Sequence, residues 1–189
     1  MNRKHVTYSN YYEYQNNIYE INTRKSSGCF TSILKAGIAR LNQCLKYYKR
    51  IFVYFFGLHS KREINNSSHI TRFFDRLKLR IKDKYTCDLH YLGAREQHKA
   101  DTQHYHLMII LDGDKIRHPK GLVELLRAVW EGGKNKGLNT IGLVEKPYYM
   151  IKDQSTLSEA VYRMSYMAKE RGKGNRPPQA KDYGASRLV

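Results

Sequence analysis

Acidic residues, cysteines and long apolar stretches are all scarce in this sequence, and each shortage excludes something. Asp and Glu number 17 against 34 Lys and Arg, a formal net charge of +17 over 189 residues. Such a chain repels itself unless an anion neutralises it, which points to nucleic acid, with an anionic membrane surface as the rival. No stretch reaches the roughly 18 apolar residues of a membrane span. The start, MNRKHVTYSNYYEY, lacks the apolar segment of a signal peptide. A soluble, intracellular protein without a membrane partner is therefore expected. The three cysteines, Cys29, Cys44 and Cys87, are odd in number and contain no CxxC. That excludes a disulfide framework or a zinc ribbon and leaves reduced, packed thiols. GGKNKG (132–137) lacks the Gly-Lys-Ser/Thr ending of a phosphate-binding loop, so no motor is encoded.

Tyrosine, by contrast, is abundant, with 16 residues. Rings mixed with cations are what a single-stranded nucleic-acid surface needs, because bases stack while phosphates pair; half-buried tyrosines in a sheet would give the same count. Residues 1–27 are polar, without sustained period, and read as an arm or partly ordered extension. Leu34, Ile38, Leu41 and Leu45 mark a first helix, and Arg50–Leu58 a buried central strand. Ile70, Phe73, Phe74, Leu77 and Ile81 mark an amphipathic helix that Ser68 is placed to cap. Strands follow over about Cys87–Glu96 and His104–Leu111, joined by a seven-residue connection (97–103) that suits an antiparallel hairpin. Pro119 opens a helix ending at Gly132 and Gly133. Ile141–Ile151 reads as an edge or bulged strand because of Pro147. Ser155 caps a last helix over about Thr156–Lys169, and a basic, Gly/Pro-rich tail (171–189) follows. The expected fold is α+β: a central antiparallel-rich sheet of four to five strands with helices packed on it, in one domain over 28–170.

Two patterns carry chemistry. His104 and His106 stand two apart on a strand, so both imidazoles leave one face. Glu96, near the end of the partner strand, falls close to His104. Two imidazoles and a carboxylate can hold Mg2+ or Mn2+; read otherwise, Glu96 pairs with Arg95 or a nearby lysine. His59, His90, His98 and His118 read as solvated or structural, although His90 shares strand parity with Glu96. Tyr162, Tyr166 and Lys169, at i, i+4 and i+7, share one helix face, apart from the apolar stripe of Leu157, Val161, Met164 and Ala168. A phenol is a weak nucleophile at neutral pH, and a neighbouring ammonium favours the phenolate. A solvated basic face bearing two tyrosines is the alternative.

Glu96, His104-Tyr105-His106 and Tyr162-xxx-Tyr166-xx-Lys169 together resemble the HUH endonucleases, and their order resembles the rolling-circle replication initiators among them. More narrowly, LGAREQ (92–97), HYHLMIILDGD (104–114), YRMSYMAKE (162–170) and GASRL (184–188) resemble the inovirus gene-2-protein-like family, of YagK/YfjJ C-terminal-domain type, from about Arg50 to Leu188. The resemblance implies Glu96, His104 and His106 as ligands of Mg2+ or Mn2+, Tyr162 and Tyr166 as nucleophiles, and Lys169 as the assisting base or cation. It implies nicking and rejoining of single-stranded DNA or a cruciform origin through a 5′-phosphotyrosine, which starts replication of a phage, prophage or plasmid in the cytoplasm of a bacterial host whose helicase unwinds the duplex. Two features depart from the usual pattern. Arg163, Met164 and Ser165 lie between the tyrosines, where a lysine is common, and FVYFFGLHS replaces a Thr-rich first strand. A transposase, a mobilisation relaxase, a non-catalytic DNA-binding regulator and a small RNA-binding protein stay open as alternatives.

Overall fold

The computed structural model describes residues 5–24, 27–61, 66–97, 104–132, 136–173 and 179–188. His98, the hairpin connection over 98–103, Gly133 and residues 174–178 of the basic tail lie outside the described residues.

The longest strand, β5 (Ile51–Ser60), is apolar on both sides because it is covered on both sides. It pairs antiparallel with β7 (His104–Asp112), which pairs antiparallel with β6 (His90–Glu96), which pairs antiparallel with β10 (Tyr183–Ala185). On its other edge β5 meets two short strands end to end. β8 (Asn139–Gly142) lies along Gly57–Ser60, and β9 (Tyr148–Ile151) along Ile51–Tyr54. The single strand expected over Ile141–Ile151 is thus two. Pro147, which has no N–H to donate, lies between them, and its carbonyl accepts from Phe55 N at 2.7 Å. The result is a six-stranded antiparallel sheet, one or two strands larger than expected.

Alternation along the strands sends side chains into two cores. Ile51, Val53 and Phe55 join Leu92, Ala94, Met108 and Ile110 beneath α1 (Thr31–Tyr47) and α4 (Gln154–Ser165). Phe52, Tyr54, Phe56 and Leu58 join Tyr105, Leu107, Ile109 and Leu111 beneath α2 (Ser68–Tyr85) and α3 (Lys120–Trp130). Each helix buries the stripe its periodicity marks: Leu34, Ile38 and Leu41 in α1, and Phe73, Phe74, Leu77 and Ile81 in α2. No helix among the described residues is long and apolar enough to cross a membrane.

Further expectations need correction. The N-cap of α2 is Ser67, not Ser68, and it makes no side-chain cap bond. Tyr183–Ala185 of the expected tail is the edge strand β10. The cap of α4 is Asp153, not Ser155: its carboxylate accepts from Thr156 N at 2.9 Å, and Thr156 reciprocates toward the Asp153 N–H. The α-helix ends at Ser165 and tightens into a 3-10 turn over Tyr166–Ala168. The N-terminal stretch is not a featureless arm. β1 (Val6–Thr7) pairs with β4 (Cys29–Phe30), and β2 (Tyr11–Tyr14) with β3 (Asn17–Glu20) in a hairpin turned by Gln15 and Asn16 at positive φ. Tyr19 and Ile21 are buried in the α1/α4 core.

Candidate metal centre

The β6–β7 register sets Glu96 directly opposite His104 and Ala94 opposite His106. By strand parity all three functional side chains leave the face that carries Leu92, Met108 and Ile110, the α1/α4 face. Oε2 of Glu96 lies 3.1 Å from Nε2 of His106 and 3.4 Å from Nε2 of His104. One ligand atom from each residue falls within 4.8 Å of the others, so a single ion can touch all three. Glu96 is buried, and both histidines are partly exposed. The site therefore has an apolar floor, formed by the sheet, and an open side.

Glu96 is charged against the pull of burial. Desolvation favours its neutral form, but the hydrogen bonds with His104 and His106 and the nearby Lys173 ammonium outweigh it, and they hold its carboxyl far below the usual carboxylate range. Lys173 is the residue the sequence reading missed, because it was assigned to the tail. Its side chain has no exposed surface, and its Nζ donates to Oε1 of Glu96 at 2.9 Å and to the carbonyl of Lys169 at 2.7 Å. Backbone bonds fasten the same turn, with Gln97 N donating to Gly172 O at 2.8 Å and Lys173 N to Glu170 O at 3.1 Å. Burial pulls the Lys173 ammonium below its usual value, and Glu96 opposes that shift. One carboxylate oxygen is thus held by a fixed cation while the other faces the imidazoles.

His59 is the second omission. It pairs with His104 across β5 and β7, and the two imidazoles stack with centroids 5.6 Å apart. His59 also leaves the α1/α4 face, and its ring lies over Gly57 and Gly142, whose missing side chains make room for it. Its pKa is lowered, first by burial and then by His104 and His106. Conversely, His90 shares parity with Glu96 but stands six residues away on β6, opposite Ile110. At about 3.3 Å per residue that is roughly 20 Å, too far to join the cluster. His118 is exposed, and its Nδ1 accepts from Lys120 N at 3.3 Å.

The two tyrosines are placed differently. Tyr166, at the start of the 3-10 turn, sets its ring edge-on to His106 with centroids 5.6 Å apart. Lys169 Nζ lies 5.4 Å from the Tyr166 ring centroid, and burial, followed by Arg24, pulls its ammonium below the usual lysine value. Tyr162, one turn earlier, is 42% exposed, and its side chain makes no ring contact or hydrogen bond among the described residues. The apolar stripe of Leu157, Val161, Met164 and Ala168 is buried under α1, and the tyrosines flank it. Tyr166 reaches His106 from the end of the helix rather than across the sheet.

The residues fit a divalent ion: two neutral-capable nitrogens and an ionised oxygen converge on one point, with an open side for further oxygen ligands. Two imidazoles suit Mn2+ better than Mg2+, which prefers an all-oxygen shell. The chain matches the family described as YagK/YfjJ C-terminal domain over residues 11–186, so the likeness begins well before Arg50 and takes in the β2–β3 hairpin. No curated protein and no solved structure matches the chain.

Proposed function

The chain belongs to the YagK/YfjJ C-terminal domain family, and from that premise and the geometry of Glu96, His104 and His106 we propose that it is a metal-dependent, site-specific DNA endonuclease. It nicks and rejoins single-stranded DNA or a cruciform origin through a phosphotyrosine, and so starts rolling-circle replication of a phage, prophage or plasmid. The observation that carries the reading is the Tyr166 ring set 5.6 Å from the His106 ring, beside three ligands within 4.8 Å of one another.

A bound Mn2+ or Mg2+ supplies Lewis-acid withdrawal of charge from the scissile phosphate. The chain's own residues do the rest. Glu96 and the two imidazoles fix the ion's position relative to Tyr166. The Tyr166 oxygen forms a bond to phosphorus while the bond from phosphorus to the 3′ oxygen breaks. The phenol proton is lost to solvent, and the departing oxygen takes up a proton to become a 3′-hydroxyl that primes synthesis. Lys169, beside the ring, stabilises the phenolate and the charge that develops on phosphorus. Tyr162 serves as the second nucleophile, one helical turn away, for the closing cut. Unwinding falls to a helicase of the host.

The test is to incubate the protein with single-stranded DNA of the genetic element that encodes it, with Mn2+, and to look for a covalent adduct on a denaturing gel. The reading expects an adduct that chelator abolishes, and that Glu96→Gln and His106→Ala lose while still binding DNA. Binding without cleavage at every metal concentration would leave a regulator instead.

A further inference from the structure

The opposite face of the sheet carries a second site. A cavity of about 660 Å³ opens between α2 and the β6–β10 edge, a size at which small-molecule sites are common. Its walls include Tyr91 and Gly93 of β6 and Tyr105 of β7. By parity these point away from Glu96, His104 and His106, so the two sites are separated by the thickness of the sheet.

Three features of its wall call for a ligand. The first is a ring platform: Tyr91 and Phe74 stack at 3.6 Å with planes 10° apart. The second is a pair of buried polar atoms without partners. Tyr105 is only 5% exposed and its hydroxyl has no hydrogen-bond partner among the described residues. The Nε of Arg40 is also buried and unpaired, while its other nitrogens donate to the carbonyls of Ala36 and Ser186. Buried polar groups are nearly always satisfied, so an unsatisfied pair lining a cavity marks a place where something else completes the bonds. The third is charge. Arg40, Arg95 and Lys181 line the cavity against one acid, Asp182. Gly93 keeps the floor open, since a Cβ there would approach Leu107 Cδ2 to 2.7 Å.

We propose that this cavity binds an unpaired nucleotide of a DNA strand, with its base on the Tyr91–Phe74 platform and its phosphate toward the cations. Stacking and phosphate pairing in one groove are the two terms of single-strand recognition. The strand has a continuation on the same helix. Thr71 lines the cavity, and next to it begins an exposed row of arginines one turn apart, Arg72, Arg76 and Arg80. A net charge of +17 makes a polyanion the fitting occupant. The proposal stands without the cleavage chemistry, because it uses none of its residues.

An oligonucleotide carrying 5-iododeoxyuridine, irradiated with the full chain and mapped by peptide mass spectrometry, tests it. Cross-links are expected on Tyr91, Phe74 or Tyr105 as well as near Tyr166. Thr71→Trp, which plugs the mouth from an exposed helix position, should erase the first set and weaken binding roughly tenfold, as for the loss of one stacked base. Arg72→Glu with Arg76→Glu should weaken the same cross-links without touching the cavity wall. In both variants the cross-links near Tyr166 should persist, which separates this proposal from the cleavage reading. Cross-links confined to the Tyr166 face, or unchanged in both variants, would overturn it. So would equal labelling by blunt duplex.

Discussion

Lys173 has no exposed side-chain surface, yet it carries the cation nearest to Glu96. Because it holds Oε1, an incoming ion meets a carboxylate already half-neutralised. Replacing it with Met should therefore tighten Mn2+ binding by about tenfold, roughly the 1.4 kcal/mol of removing one like charge nearby. The metal-free fold should lose about 1–3 kcal/mol with that charged hydrogen bond. Calorimetric titration and urea melts measure both, and weaker Mn2+ binding would contradict the assignment. Glu96 itself makes stability depend on pH. Its folded pKa lies below the unfolded value of about 4.3, so its contribution is fully present above that value and is lost as pH falls toward the folded pKa. Urea melts of Glu96→Gln against the parent should show a stability deficit at pH 7 that narrows only as pH falls below about 4.3. A deficit independent of pH would mean that the carboxylate is not held ionised by its neighbours.

Helix α4 matters because its C-terminal turn presents Tyr166 and Lys169. Its start depends on a reciprocal pair, so Asp153→Ala should lower the melting temperature measurably, whereas Ser155→Ala should leave it nearly unchanged. Equal effects in thermal melts would contradict the cap. That cap was hard to read because DQST offers three eligible residues within four positions, and only the geometry picks Asp153 with Thr156. The helices and β5 were legible, since a 3.6-residue period and an unbroken apolar run each have one good structural answer. The convergence of Glu96, His104 and His106 was legible too, because a hairpin joins near neighbours and strand parity fixes their faces. His59 was not, because it joins the face only through the long-range β5–β7 pairing. Nor was Lys173, which a turn of the tail folds back onto Glu96. The hairpin over β2 and β3 escaped notice for the same reason: its short strands are mostly exposed, and Tyr19 and Ile21 are anchored by a core that includes the distant α4.

The whole molecule divides its labour across one sheet. On one face, α1 and α4 bury the core beside the candidate metal cluster and Tyr166; on the other, α2 and α3 cover a core edged by the ring-lined cavity. A net charge of +17 would favour phosphate contacts on either face through counterion release. A strand engaged on both faces would be held while it is cut. The central claim is narrower than that: Tyr166 is the residue that joins to DNA. The most direct measurement is to form the adduct with Mn2+ and single-stranded DNA of the parent element, digest both components, and identify the nucleotide-bearing peptide by mass spectrometry. The account predicts a 5′-phosphate linked to Tyr166, and a Tyr166→Phe protein that binds DNA but gives no first-cut adduct. First-cut DNA linked to Tyr162 or to any residue other than Tyr166, or cleavage with no covalent link at all, would contradict it.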